Sequence, residues 1–121
     1  TYKGRKCSRF MKVLFIILND TDYLEDVLSI LVKHNVKGAT VLESQGMGSA
    51  IVNNNISEIP LFGSLKTLLK DSHPYNKTIF TVIQDEEKLQ KVVQAVKYLL
   101  KEEKKPDAGF MFTVPVDEIF C

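Results

Sequence analysis

Apolar and polar positions along this chain alternate between two periods, one suited to strands and one to helices. Lys12–Leu18 reads Lys-Val-Leu-Phe-Ile-Ile-Leu, a continuous apolar run rich in β-branched residues. Such a run predicts a central strand buried on both faces. Next come Leu24, Val27, Leu28, Leu31 and Val32, an i, i+3, i+4, i+7, i+8 stripe that predicts an amphipathic helix. Asp20, Thr21 and Asp22 offer N-cap oxygens, and Glu25 follows Asp22 at capping-box spacing. Lys33 and His34 suit the negative pole of the helix dipole, and Gly38 suits the turn that follows. Ala39–Glu43 is the second predicted strand. Lys77–Ile83 is the third, with partial alternation. Asp85, Glu86 and Glu87 put acid in the first turn of a second helix, whose stripe is Leu89, Val92, Val93, Val96 and Leu100. Phe110–Val116 is the fourth strand. Pro115 cannot donate to a ladder, so that strand is predicted to end there or lie at a sheet edge.

Between the second and third strands the pattern becomes mixed. Gln45-Gly46-Met47-Gly48 ends the strand, and its glycines leave the backbone free for unusual torsions or for close approach of a ligand. Leu61, Phe62, Leu65, Leu68 and Leu69 then fall at helical spacing, predicting a short helix over Phe62–Asp71 inside a long loop. Loops of that length in a small domain are often functional. The stripe has three readings: a satellite core, a docking surface for a partner protein, or a membrane-surface contact served by few cations.

The order strand, helix, strand, long loop, strand, helix, strand is a split βαβ arrangement. It predicts an α+β ferredoxin-like βαββαβ sandwich, a four-stranded antiparallel sheet with both helices on one face. The other face is apolar enough to need cover, and a homo-oligomer that packs its sheets inward supplies it.

Composition adds bounds. At 121 residues, 45% hydrophobic and 26% charged, the chain is an ordinary single globular domain. A formal net charge of +1 argues against a dedicated nucleic-acid binder. Thr1–Phe10 holds Lys3, Arg5, Lys6 and Arg9 and reads as a loose basic leader or a non-native remnant, with the domain proper at residues 11–121. The following apolar run is too short for a secretory signal and lacks a cleavage pattern, so a cytoplasmic protein without membrane contact is expected. Cys7 and Cys121 are two free thiols of a reducing compartment or a disulfide joining the ends.

Enzyme chemistry finds little purchase. His34 and His73 are the only histidines. The first stands at a helix end, the second before Pro74, and neither has ligand-spaced partners for a metal or a nucleophile for a base. No catalytic and no metal-binding residue is nominated.

Gly38-Ala-Thr-Val-Leu-Glu-Ser-Gln-Gly-Met-Gly48 resembles the second strand and loop base of the PII nitrogen-regulatory proteins, whose pattern runs Gly-hydrophobic-Thr-Val-x-Glu-x-x-Gly-aromatic-Gly. Lys12–Ile17 with Leu24-Glu-Asp-Val27, and Phe110–Ile119, resemble that family's first strand, helix start and last strand. The resemblance implies a non-catalytic signalling protein, a ferredoxin-like homotrimer with small-molecule clefts between subunits. It also implies a long loop, here 49–76, that reaches a target protein. Carried over residue by residue, it nominates Thr40, Gly46, Met47, Gly48 and Ser49 for ligand binding. Lys104 and Lys105 supply charge, and Leu61, Phe62, Leu65 and Leu68 are candidates for partner contact. No cofactor is fixed; an adenine nucleotide, including a cyclic dinucleotide, is the candidate ligand. Three departures stand out. Ser49 and Ala50 replace the family's Arg-Gln, Lys101–Gly109 replaces its glycine-rich loop, and Asp117 and Glu118 stand where it has phosphate-binding arginines. The second reading is a metal-handling trimer similar to the CutA proteins, which share the architecture.

Overall fold

A computed structural model describes residues 10–47, 50, 75–102 and 107–120. In chain order the elements are β1 (Lys12–Leu18), a 3-10 turn (Thr21–Tyr23), α1 (Leu24–Lys33), β2 (Thr40–Ser44), β3 (Asn76–Ile83), α2 (Glu86–Glu102) and β4 (Gly109–Pro115). The four strands form one sheet in the order β2-β3-β1-β4, and every neighbouring pair is antiparallel. This is the predicted ferredoxin-like α+β architecture. β4 is an edge strand, where a proline at its last position leaves no ladder bond unmade on the open side.

The core lies on one face of that sheet. Leu14, Ile16 and Leu18 of β1 and Ile79 and Ile83 of β3 are buried against Val27 and Leu31 of α1 and Leu89, Val92 and Val96 of α2. Period two in the strands meets period 3.6 in the helices, so each element contributes one stripe. β1 is therefore central but not buried on both faces within one chain. Its alternate residues Val13, Phe15 and Ile17 are only half-buried, because both helices lie on the other side.

Local details differ from expectation at three places. Val32 closes the α1 stripe on paper yet is 72% exposed. It follows buried Leu31 by one residue, about 100° round the helix, which carries it off the narrow arc facing the sheet. The Asp22–Glu25 capping box does not start α1. Asp20 instead caps the 3-10 turn by accepting from the Asp22 N–H at 3.1 Å, and Tyr23 takes the helix N-cap position without a side-chain capping bond. Nor does Gly38 end the helix. Asn35, at φ 61°, takes the left-handed position, its N–H donates to Val32 O (3.0 Å), and the Val36 N–H donates to Leu31 O (2.9 Å). That is a Schellman cap, which asparagine tolerates without glycine. The α2 start agrees with its acidic signal: Asp85 Oδ1 accepts from the Glu87 and Lys88 N–H groups at 2.9 and 3.2 Å.

Phe10, counted with the leader on sequence, packs at the rim of the core, with Lys12 Nζ 5.2 Å above its ring centroid. The predicted helix at Phe62–Asp71, both cysteines and residues 1–9 lie outside the described residues.

Candidate functional site

Antiparallel pairing sorts the strand termini into two ends of the sheet. At one end Leu18 pairs with Lys77 and Gly109, and Ser44 pairs with Asn76. Here β2 hands over to the long loop, the loop returns as β3, and the segment after α2 enters β4. Polar side chains tie these segments together. Ser44 Oγ contacts Asn76 Oδ1, donates to Asn76 O at 3.2 Å and lies 2.8 Å from Thr78 Oγ1. Asn76 Nδ2 donates to Asn19 Oδ1 at 3.5 Å, and Asn19 Nδ2 donates to Asp107 O at 3.1 Å. The Asn19 and Asp20 N–H groups both donate to Ala108 O, at 2.9 and 3.0 Å. A continuous hydrogen-bonded path thus runs from the base of the long loop to the segment that precedes β4.

Two positions on that path are backbone-constrained. Asp107 sits at φ 69°, in the left-handed region that short polar side chains tolerate. Gly109 lies so close to β1 that a Cβ there would meet Ile17 O at 2.5 Å. Gly46 is different. Its φ is ordinary, a Cβ would meet only Asn76 Nδ2 at 3.9 Å, and its carbonyl accepts from the Ala50 N–H at 2.9 Å, opening a helical turn. Glycine at 46 is therefore not required by the fold of the described residues. Met47 beside it is 81% exposed.

Thr40 stands at the other end of β2, exposed and paired with Phe80. It borders a groove of about 620 Å³ lined by Asn35–Thr40, Phe80–Gln84 and Lys88. Backbone groups dominate one wall: Gly38 O accepts from Thr81 Oγ1 at 2.6 Å, and Asn35 O accepts from Lys88 Nζ at 3.2 Å. Four residue steps of extended strand separate Thr40 from Ser44 by about 13 Å, so one chain does not bring Thr40 and Gly46 together. Asp117 and Glu118 follow β4 at the Lys12 end of the sheet, on the opposite edge from Thr40, since the Val116 N–H donates to Met11 O just past the β4 terminus. Gly48, Ser49, Lys104 and Lys105, and the loop residues Leu61, Phe62, Leu65 and Leu68, lie outside the described residues.

One charged pair flanks β2. Lys77 Nζ donates to Glu43 Oε1 at 2.5 Å across the β2–β3 ladder. That hydrogen bond first, and the ammonium charge second, hold the Glu43 carboxyl below the usual carboxylate range. Among the described residues no group of three or more His, Cys, Asp and Glu could hold a metal ion, and no helix is long and apolar enough to cross a membrane. His34 is the C-cap residue of α1.

The sheet face away from the helices carries Val13, Phe15, Ile17, Phe80, Val82, Phe110, Phe112 and Val114 on paired strands. Phe15 stacks on Phe112 with ring centroids 4.9 Å apart and touches Phe80 at 5.7 Å. Phe110, Phe112, Val114 and Leu42 remain 41–55% exposed.

The sequence pointed to Gly46 and Met47 through their motif. It missed Asn19, Ser44, Asn76 and Asp107, whose partners are 32 to 88 residues away. Their only local signal is a small polar residue at each strand end.

Comparison with known proteins gives one family. The profile of nitrogen regulatory protein P-II matches residues 11–121. No curated protein sequence matches. Among solved structures, Arabidopsis thaliana PII bound to citrate superposes with a TM-score of 0.59 at 16% identity, covering 88% of this chain and 77% of that one. CPII from Thiomonas intermedia K12 bound to ADP, AMP and acetate gives 0.57 at 18% identity, covering 89% of each chain. The same protein bound to ADP, AMP and bicarbonate gives 0.54 at 16%, covering 91% and 96%. At these identities the structures speak to the fold.

Proposed function

The chain belongs to the nitrogen regulatory protein P-II family, and from that premise we propose that it is a non-catalytic regulator that binds a small metabolite in clefts between the subunits of a homotrimer. Adenine nucleotides are the leading ligand class, in keeping with the ADP and AMP bound to the CPII structures. Occupancy is signalled to a target protein through the 49–76 loop.

The observation that carries this reading is the separation of the nominated residues. Thr40 borders one groove at one end of β2, and Gly46 and Met47 project from the other end. A small ligand touching both within a chain would have to run the length of the strand. Supplied by two neighbouring copies, the two groups form opposite walls of one cleft. The aromatic face that no described helix covers supports the same assembly, because a contiguous exposed apolar patch marks an interaction surface. Each wall has a chemical part. Thr40 offers a hydroxyl to a base or ribose, Gly46 offers close backbone approach, and Lys104 and Lys105 bring positive charge for phosphate.

Transmission follows from the polar path. A ligand that contacts the Gly46 turn and the segment preceding β4 acts on both ends of the Ser44–Asn76–Asn19–Asp107 chain. If it prefers one arrangement of that chain, it shifts the population of loop conformers, with no covalent chemistry needed.

Calorimetric titration of the purified protein with ATP, ADP and AMP, alongside sedimentation velocity, tests both halves. Saturable binding near one equivalent per chain on a three-chain particle is expected. Absence of binding by all three nucleotides, or a monomer at micromolar protein, overturns it.

A further inference from the structure

A second groove lies along the β4 edge of the sheet, opposite the β2 edge that carries Thr40. It encloses about 410 Å³ between the C-terminal half of α2 and the outer strand β4. Leu14, Val93, Leu100 and Met111 supply apolar walls, Lys97 and Lys101, one helical turn apart, stand at its rim, and the exposed Asp107 lines the end where the chain enters β4. No described carboxylate pairs with either lysine. Among the described residues β4 has a single strand neighbour, β1, and no described strand pairs with its other edge.

The chain also carries a segment with matching chemistry. Past Pro115 come Val116, Asp117, Glu118, Ile119 and Phe120, with two exposed acids followed by a phenylalanine that is 86% exposed. The segment leaves β4 at the Lys12 end, whereas the groove is lined by Asp107–Thr113 at the other end of the same strand. It does not fill its own groove. An exposed apolar side chain behind two carboxylates, and an apolar groove behind two ammonium groups, are complementary in charge and polarity.

We propose that Asp117–Phe120 of one copy seats in the α2–β4 groove of another copy, with Phe120 against Leu14, Val93, Leu100 and Met111, and Asp117 and Glu118 facing Lys97 and Lys101. The contact is heterologous, tail to groove, and repetition of such a contact closes a ring when the rotation allows. It rests on the oligomer reading above and deepens it, by giving each copy a strap onto the next. Burial of the aromatic ring supplies affinity, and the charge pairs fix register and partner.

The test is sedimentation velocity over a dilution series of the full chain, with circular dichroism to verify folding. Phe120→Ala is expected to raise the dissociation constant of the assembly at least tenfold. Reversal of the tail charges (Asp117→Lys with Glu118→Lys) or of the groove charges (Lys97→Glu with Lys101→Glu) weakens assembly. Combining both reversals recovers most of the loss, a coupling that only contacting residues give. If the wild-type chain is oligomeric and these folded variants assemble like it, the strap is wrong and the oligomer stands. If the wild-type chain is a monomer throughout, both fail together. Weakened assembly with no recovery in the combined variant refutes the tail-to-groove pairing.

Discussion

Replacing Gly109 with alanine probes the closest backbone approach among the described glycines. The new Cβ would lie 2.5 Å from the Ile17 carbonyl oxygen and 3.4 Å from both Cα and Cδ2 of Leu18. The first neighbour is main chain of the central strand, so no side chain can swing aside. β4 must move from β1 by roughly 1 Å to reach ordinary van der Waals separation. Overpacking of this kind costs about 1–3 kcal/mol. The movement also strains the two hydrogen bonds from Asn19 and Asp20 to Ala108 O, each worth about 1 kcal/mol. Together they predict a loss of about 2–4 kcal/mol. In a domain of this size that lowers Tm by on the order of 10 °C. Unfolding in urea followed by far-UV circular dichroism measures it, at one protein concentration, because assembly makes apparent stability concentration-dependent. Gly38→Ala is the control: its Cβ would meet nothing within 4 Å, so it should stay within about 0.5 kcal/mol of wild type. Gly109→Ala matching wild type, or Gly38→Ala harming it equally, refutes the reasoning.

Asp85→Ala removes the cap that accepts from the Glu87 and Lys88 N–H groups. It should lower stability by about 1 kcal/mol, while Asp85→Asn retains most of it; equal losses in thermal melts would count against the cap. Glu43 has a folded-state pKa depressed by Lys77. Its contribution is therefore present above the ordinary carboxylate value and fades as pH falls through the lower folded one. Wild type and Glu43→Gln should differ in stability at neutral pH and converge as acid protonates the Glu43 carboxyl, below the ordinary carboxylate range. Stability curves that stay parallel across that range would show that the pair contributes nothing pH-dependent.

Much of the fold was written into local pattern. The apolar run at Lys12–Leu18 coincides with β1, and the stripe from Leu89 to Leu100 faces the core along α2. Strand and helix periods follow from backbone geometry, so a single stretch of chain declares which face it must bury. Element order and the right-handed crossover then leave few topologies, of which the ferredoxin-like sheet is one. The Gly46–Met47 nomination rested on the motif alone, since among the described residues a Cβ at 46 would meet only Asn76 Nδ2, at 3.9 Å.

Tertiary structure decided what depends on distant partners. Whether Val32 joins the core depends on how narrow an arc of α1 the sheet covers, which periodicity does not state. That Asn35 rather than Gly38 turns the chain depends on the Schellman bonds to Leu31 and Val32. The polar path joins Ser44, Asn76, Asn19 and Asp107 only because antiparallel pairing gathers four strand ends in one place. Separation of Thr40 from Gly46 likewise exists only in three dimensions: six positions apart in sequence, they stand at opposite ends of an extended strand. The sequence by itself determined which residues seek burial and in what rhythm; the packed sheet decided which of them meet, because contact between remote segments is a property of the assembled layers and of no single stretch.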